Sequence, residues 1–495
     1  MSLWRKKSIT KLLADADNSE HGLKKTLTAT SLVALGIGAI IGAGLFVRTA
    51  AAASEHAGNA VTISFLIAAV GCLFAGLCYA EFASMIPIAG SAYTYAYTTM
   101  GELVAWIIGW ALILEYALGA ATVSIAWSEY LNNLLGGVIP YSLCHSPFES
   151  SAAGAHGIIN LPALFILLVL SLLLIKGTQE SARVNAVIVF VKVGIVLVFI
   201  AIGWRFINPA NHTPYLIPDN APPVDLGGGK VFDYTKDARS HGWGGVLGGA
   251  AVVFFAFIGF DAVSTAAQEA KNPKRDMPIG ILGSLAVCTI LYVLFAHVLT
   301  GVAPYVDFLK AGKEASVSYA IQHYMPGFGW LATLVTVAIL AGFSSVILVM
   351  LLGQSRVFYS MSKDGLIPKI FSDLHPKFRT PYKSNLILFV FVGIFGAFIP
   401  GSVAGDLTSI GTLLAFILVC AGIIIMRKVD PDRPRPFRTP FSPVVPILGI
   451  LVCGAMVCFE DPTTVLTALS WMVFGLVIFF VYSRHHSTIG LENKP

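Results

Sequence analysis

The sequence predicts an all-α membrane protein whose chain crosses the bilayer twelve times. Of its 495 residues, 56% are hydrophobic and only 12% are charged, and the mean hydropathy is +0.77. Soluble domains are about 25% charged, and a spanning helix needs about 20 mostly apolar residues. Such stretches recur along nearly the whole chain, so a water-soluble fold is excluded.

The apolar stretches separate into twelve segments, of which two short ones lie in the C-terminal third. We place these segments at residues 31–53, 59–86, 101–136, 157–175, 184–206, 244–268, 278–303, 328–353, 385–400, 405–426, 443–459 and 462–483.

The distribution of Lys and Arg predicts the orientation of the chain. With the N-terminus in the cytoplasm, 24 of the 32 basic residues fall on the cytoplasmic side and 6 on the outer side, while Arg48 and Lys192 lie within apolar segments. Cytoplasmic loops of membrane proteins carry such an excess of basic residues. We therefore expect both termini in the cytoplasm of a multi-pass protein of the cell membrane.

Two of the twelve segments contain glycines that are typical of interrupted helices. The first segment has four glycines within nine residues, Gly36, Gly38, Gly42 and Gly44, and the sixth has Gly259 followed by Asp261. Each of these segments opens a block of five. Interrupted segments at matching positions of two halves predict a 5+5 inverted repeat with broken helices 1 and 6 and a site at the midplane.

Breaks of this kind have a specific chemistry. Unwound backbone within a membrane is tolerated only where it lines a cavity or is buried in protein. The free N–H groups after a break attract an anion, and the free carbonyls before it suit an ammonium group. Two facing breaks therefore fit a zwitterion such as an α-amino acid. The alternative is that the glycines only allow close helix packing, but their recurrence in the sixth segment favours a binding site.

Ionisable residues at bilayer depth are a second signal of function. Lys192 lies nine residues beyond Arg183, or about 13 Å along a helix, which favours a proton-carrying role over simple snorkelling. Glu115 either makes a structural hydrogen bond or faces the pocket, where it would pair with a Lys or Arg side chain. We expect Asp261 to cap the helix after the break, Glu269 to form a structural or gating ion pair, and Arg48 to reach the outer interface.

Several long motifs resemble one known family of membrane proteins. The resemblance covers about residues 25 to 483 and rests on GIGAIIGAGLF, FFAFIGFDAVSTAAQEAKNPKRDMPIGI, SRVFYSMSKDGLIPKIF and PFRTPFSPVVPILGI. These motifs are similar to those of the amino acid–polyamine–organocation (APC) superfamily, and in particular to bacterial members of the cationic amino acid transporter family. The resemblance implies that two extra C-terminal helices follow the repeats.

The chain then divides into seven parts. These are a cytoplasmic N-terminus (1–30), a first repeat of helices 1–5 (31–206), an extracellular loop (207–243), a second repeat of helices 6–10 (244–426), a cytoplasmic linker (427–442), helices 11 and 12 (443–483) and a cytoplasmic tail (484–495).

The resemblance also implies the positions of the binding residues. The substrate carboxylate would meet the amides of Ala43 and Gly44, with Gly42 close by, and Phe255 would cover the substrate. The substrate ammonium would meet the carbonyls of Ile40, Phe255, Ala256 and Ile258. Lys192 would occupy the place of a cation in sodium-driven relatives, in contact with Ser344 or Ser345.

The function expected from these features is secondary active import of L-amino acids, cationic or small and neutral such as alanine, coupled to protons. A pocket lined by Phe255 and Ile258 suits an alanine-sized side chain, whereas Glu115 argues for Lys, Arg or ornithine. Exchange without net proton movement and a membrane amino acid sensor remain alternatives.

An enzyme is not expected, because the sequence contains no H-E-x-x-H, G-x-S-x-G or P-loop motif. The expected partners are an amino acid, protons and membrane lipids, with no cofactor, metal or nucleic acid.

Overall fold

The computed structural model describes residues 4–10, 12, 25–42, 44–88, 90–150, 154–227, 230–311 and 316–488. Over these residues the chain is predominantly helical. The main helices are α1 (Ala29–Ile40), α2 (44–57), α3 (Val61–Met85), α4 (Ser91–Thr99), α5 (Glu102–Leu134), α6 (Leu161–Lys176), α7 (Thr178–Gly203), α8 (Gly242–Phe254), α9 (Ala262–Thr265), α10 (Pro273–Val302), α11 (Tyr305–Ala311), α12 (Ser316–Tyr324), α13 (Gly329–Lys363), α14 (Tyr382–Phe398), α15 (Gly401–Val429), α16 (Val444–Phe459) and α17 (Pro462–Ile478).

Eight helical stretches of the described residues are long and apolar enough to cross a membrane, and four further apolar helices have 12 to 17 residues. This confirms a helical multi-pass membrane protein. The count of twelve spans and the inverted repeat stay predictions.

The first long stretch, 44–85, turns at Gly58, where φ is +58° and a Cβ would lie 2.8 Å from Ile217. A glycine is required there because other residues rarely adopt positive φ.

Helix α1 lies at the centre of the bundle, packed against α7, α10 and α13. Two of its glycines allow this close approach. A Cβ on Gly36 would overlap the hydroxyl of Ser284 on α10, and a Cβ on Gly38 would lie 2.7 Å from the Asn185 amide on α7. Glycines at these two positions therefore serve helix packing, which is the alternative explanation that the sequence offered for the whole run.

The segment between α7 and α8 folds over one end of the bundle. It contains an antiparallel hairpin, β1 (Val224–Gly227) and β2 (Lys230–Phe232). The Tyr234 hydroxyl donates to the Ser54 carbonyl over 2.6 Å, and the Asn59 amide donates to the carbonyl of Asn211 over 2.6 Å. These bonds tie the predicted extracellular loop to the last turn of α2 and to the turn that follows it.

At the opposite end, a buried carboxylate holds the Pro-rich connector between α15 and α16. Glu81 of α3 is 1% exposed. It accepts hydrogen bonds from Arg427 at 3.2 and 2.7 Å and from the Thr439 N–H at 2.8 Å, and Arg435 Nε lies 3.2 Å away. A buried carboxylate is tolerated only when it is paired and hydrogen-bonded in this way. The connector is therefore pinned against α3.

We expect the variant Glu81→Ala to lower the thermal stability of the purified protein. It leaves two arginines facing a space without their counter-charge, and breaking such a buried pair costs about 3 kcal/mol. The control is Asp430→Asn, which removes only the part-exposed pair with Arg433 and should change stability by less than about 1 kcal/mol. Equal melting temperatures for the two variants would contradict the role assigned to Glu81.

Candidate functional site

The two interrupted segments meet in the middle of the bundle. Helix α1 ends at Ile40 and the chain becomes helical again at Gly44. Helix α8 runs into a tight turn, Phe255–Phe257, and then into Gly259, whose φ is +108°. That turn packs against the start of α2, and a Cβ on Gly44 would overlap the Cα of Ala256. The backbones of the two breaks are therefore in direct contact.

A narrow cavity lies between the two breaks, with an open volume of about 10 Å³. Its walls are mostly apolar and come from α1, α2, α5, α13, α15 and the second break. The lining residues are Ala39, Ile40, Gly42, Gly44, Gly119, Val123, Phe255, Ile258, Val346, Met350 and Thr408. Five of the predicted binding residues are among them, whereas Ala43 lies outside the described residues. In this closed arrangement the walls must move apart to admit a molecule larger than water.

The ends of the helices supply polar backbone groups to this cavity. The first N–H groups of a helix have no intrahelical partner, nor do its last carbonyls. Gly44, the first residue of α2, lines the cavity, so the positive end of this helix dipole lies beside it. On the other side, the carbonyls of Ile40 and Ala256 both lie 2.8 Å from the hydroxyl of Tyr292, which shares its single proton between them. Because a carbonyl has two lone pairs, each of these oxygens keeps capacity for another donor.

Lys192 of α7 binds the carbonyls behind the first break. Its side chain is 0% exposed, and Nζ donates to the carbonyls of Gly38 and Ile41 over 2.8 and 2.7 Å. These oxygens lost their helical partners because α1 stops at Ile40. The ammonium group thus replaces the hydrogen bonds that the interruption removed.

The two serines predicted near Lys192 are placed differently. The Ser345 hydroxyl donates to the Gly38 carbonyl over 3.2 Å and is also hydrogen-bonded to Asn185. Ser344 instead donates to Leu340 of its own helix over 2.9 Å. Only Ser345 therefore shares an acceptor with Lys192. Asn185 was not predicted as a site residue from the sequence. An amide side chain at the end of an apolar segment does not indicate a function until the residues it contacts are known.

Glu115 and Asp261 lie together beside the cavity. Glu115 is 0% exposed in a π-helical turn of α5, Leu114–Leu118, next to Asp261 and Thr412. Its carboxylate is directed at these two neighbours, and the cavity wall is formed by Gly119, one turn further along. Asp261 accepts from the Tyr116 hydroxyl over 2.5 Å and makes no capping bond to α9. The expected capping role of Asp261 is therefore wrong, because its own backbone is already helical, with φ −70° and ψ −26°, whereas a capping residue is extended.

Charged pairs lie beyond the cavity toward both predicted sides of the membrane. Toward the predicted outside, the Arg48 guanidinium lies 5.2 Å from the centre of the Phe255 ring and 3.4 Å from the Asp406 carboxylate. Arg48 thus contacts the second break, and its reach to the outer interface stays a prediction. Toward the predicted inside, Arg356 pairs with Glu269 over 2.5 Å, which confirms the expected ion pair.

The segment before α1 reinforces the inner closure. The backbone carbonyl of Glu269 accepts from the N–H groups of Thr26 and Leu27, each over 2.9 Å. The Lys271 N–H donates back to the Leu27 carbonyl over 2.9 Å. The start of the first segment is thus tied to the end of the sixth, and both would have to separate for the cavity to open on this side.

A helical membrane bundle with a cavity between two facing helix breaks is an arrangement typical of membrane transporters. Comparison with known proteins gives its family. The amino acid permease family matches residues 27–490, and the chain therefore belongs to the amino acid permeases of the APC superfamily.

Individual relatives cover most or all of the chain. The branched-chain amino acid permease BcaP of Bacillus subtilis (strain 168) is 44% identical over 491 residues, 99% of each chain. A methylthioribose transporter of the same organism is 39% identical over 491 residues, again 99% of each chain. The vacuolar cationic amino acid transporter 4 of Arabidopsis thaliana is 34% identical over 433 residues, 87% of this chain and 68% of its own.

We expect Gly44→Ala to disturb the contact between the two breaks. The added methyl group must displace Ala256, and overpacking of this kind costs about 1–3 kcal/mol. The melting temperature of the purified protein should fall, and stabilisation by an amino acid ligand should be lost. Gly454→Ala is the control, because a Cβ there meets nothing within 4 Å and a helical Gly→Ala change is neutral or stabilising. A Gly44→Ala protein with normal stability and ligand response would contradict the close contact.

Proposed function

We propose that this permease is a proton-coupled secondary transporter that imports aliphatic L-amino acids by alternating access. In this proposal it lies in the plasma membrane with both termini in the cytoplasm. The observation that carries the proposal is the apolar cavity between two facing helix breaks, with Lys192 bound to the back of the first break. The name of the Bacillus subtilis branched-chain permease, which shares 44% of its residues with this chain, supports the aliphatic class.

The backbone of the substrate would be recognised by the helix ends. Its carboxylate fits the amides at Gly42 and Gly44, where the positive end of α2 points at the cavity. Its ammonium fits the carbonyls of Ile40, Ala256 and Ile258. These contacts require both charges of an α-amino acid, and they leave the side chain free to point at the remaining wall.

The remaining wall favours an aliphatic side chain over a cationic one. It is formed by Val123, Val346 and Met350, and each methylene group buried against such a surface stabilises binding by about 0.8 kcal/mol. Leucine has three more carbons than alanine, so we expect it to bind about 50-fold more tightly. A lysine or arginine side chain would place its charge against this apolar wall, because Glu115 does not line the cavity.

Proton coupling would act through the bonds between Lys192 and α1. The charged ammonium holds the carbonyls of Gly38 and Ile41 strongly, since hydrogen bonds from an ionised donor are about twice as strong as neutral ones. When Nζ loses its proton to the cytoplasm, its hydrogen bonds to these two carbonyls weaken, and α1 can move away from α7. Such movement would open the cavity on the side closed by Glu269 and Arg356. The proton and the amino acid would then leave together.

A thermal-shift screen of the purified protein with all amino acids tests the substrate class. We expect leucine, isoleucine and valine to raise the melting temperature, because a ligand at 100 times its Kd stabilises the folded state by about 2.7 kcal/mol. Leucinol, which lacks the carboxylate, is the control and should cause no shift. A larger shift with lysine, arginine or ornithine would replace the aliphatic class by the cationic one, and no shift with any amino acid would count against both.

Replacement of Lys192 tests proton coupling. In proteoliposomes we expect Lys192→Met to abolish leucine accumulation driven by an inwardly directed proton gradient, while exchange of internal for external leucine continues. Lys369→Met, which changes an exposed lysine in the loop after α13, is the control and should transport normally. Undiminished proton-driven accumulation in Lys192→Met would rule out this coupling site and favour an exchanger. Binding without any transport in the unmodified protein would favour a sensor.

A further inference from the structure

A second, larger concavity lies on the perimeter of the bundle, near its predicted cytoplasmic end. It is a groove between the first turns of α10 and the connector that joins α15 to α16, with an open volume of about 710 Å³. It shares no residue with the cavity between the helix breaks. Its lining residues are Asn272, Lys274, Arg275, Pro278, Ile279, Leu282, Pro436 and Phe437.

The mouth of this groove is positively charged. Lys274 and Arg275 are both exposed, and no salt bridge to a described residue engages either of them. The neighbouring acid, Asp276, is buried and accepts from the N–H of Asn272 over 3.3 Å. Its carboxylate therefore interacts with the backbone at the start of α10 and does not pair with the two basic side chains. Their positive charge is available to attract an anion.

The floor of the groove is apolar and continues along the helix. Ile279 is 41% exposed, and further along α10 Ile290 is 61% exposed. Positions 275, 279, 282 and 290 recur at helical spacing and so share one face of α10. From residue 275 to residue 290 that face extends about 22 Å, which is more than half of the roughly 30 Å hydrocarbon core of a bilayer. The groove thus leads from a charged mouth into the depth of one leaflet.

The opposite wall is held in place. Phe437 N–H donates to the Ser84 hydroxyl over 3.3 Å, and Thr439 N–H donates to the buried Glu81 over 2.8 Å. These bonds fix the connector against α3 on both sides of Arg438. Pro436 and Phe437 therefore form a rigid apolar wall opposite α10.

We propose that this groove binds an anionic phospholipid. Its phosphodiester would contact Lys274 and Arg275, whose side chains match phosphate oxygens as charged donors. One acyl chain would lie along Ile279 and Leu282, covered by Phe437. Basic pockets between membrane helices at the cytoplasmic surface have the charge that anionic headgroups require. The site goes beyond the proposed transport function and does not depend on it.

The position of the site suggests what the lipid would stabilise. Asn272 lies three residues after Glu269, within the segment that is tied to Leu27 by backbone hydrogen bonds. A lipid bound to the first turn of α10 and to the connector would bridge two elements that flank the inner closure of the cavity.

Native mass spectrometry of the delipidated full-length protein tests the proposal. The protein is titrated with phosphatidylglycerol, phosphatidylcholine or inorganic phosphate. We expect phosphatidylglycerol to bind the unmodified protein at least about tenfold more tightly than phosphatidylcholine. The double variant Lys274→Ala/Arg275→Ala should weaken phosphatidylglycerol binding by about 30-fold, from two basic contacts. All substituted side chains are exposed, and unchanged melting temperatures would verify folding.

Two further variants separate the contributions. Lys369→Ala/Lys377→Ala removes the same charge from exposed positions outside the groove and should change the affinity by less than about twofold. Ile279→Asn should weaken phosphatidylglycerol binding, because it removes apolar contact with the acyl chain. Equal loss in both double variants, no preference over phosphatidylcholine, or inorganic phosphate binding as tightly as the lipid would each overturn the proposal.

Discussion

A helix that stops inside a membrane leaves its last carbonyl groups without hydrogen-bond partners. In this bundle, neighbouring helices supply the donors that these carbonyls need. Three oxygens at the end of α1, those of Gly38, Ile40 and Ile41, accept from Lys192 or Tyr292. Unsatisfied backbone groups at this depth would each cost several kcal/mol. The two donors belong to α7 and α10, so satisfying the break also fixes the packing of both helices on α1.

Two charged pairs flank the cavity, and they differ in exposure. Arg48 pairs with Asp406 toward one side, where both side chains are partly exposed, and Arg356 pairs with Glu269 toward the other, where both are buried. For a buried pair such as the second, the attraction between the charges is largely offset by the loss of their hydration. Such pairs can hold a closed state and still separate at modest cost when water enters. An apolar seal of the same area would gain more from burial, and opening it would cost more.

Basic residues on one side of the membrane serve different purposes in this protein. Arg427 and Arg435 are bound to the buried Glu81, where they hold the connector against α3. Lys274 and Arg275 lie in the exposed groove next to that connector. The paired arginines hold the connector that supplies one wall of the groove, whereas the other two, which have no salt bridge to a described residue, make its mouth positively charged. A count of positive charges treats all four alike, although only the second pair is free to meet a ligand.

The sequence by itself determined the membrane setting, the helical class and the positions of the two breaks, because apolar length and glycine clusters are local features. It also identified Lys192, since a lysine deep in an apolar run is visible without a fold. Only the tertiary structure decided which groups meet: Tyr292 and Asn185 at the first break, Tyr116 on Asp261, and Arg48 on Phe255. These contacts join residues that are far apart in the chain. The sequence around each residue gives no indication of the contact that it makes. Helix packing, which local sequence does not specify, brings them together.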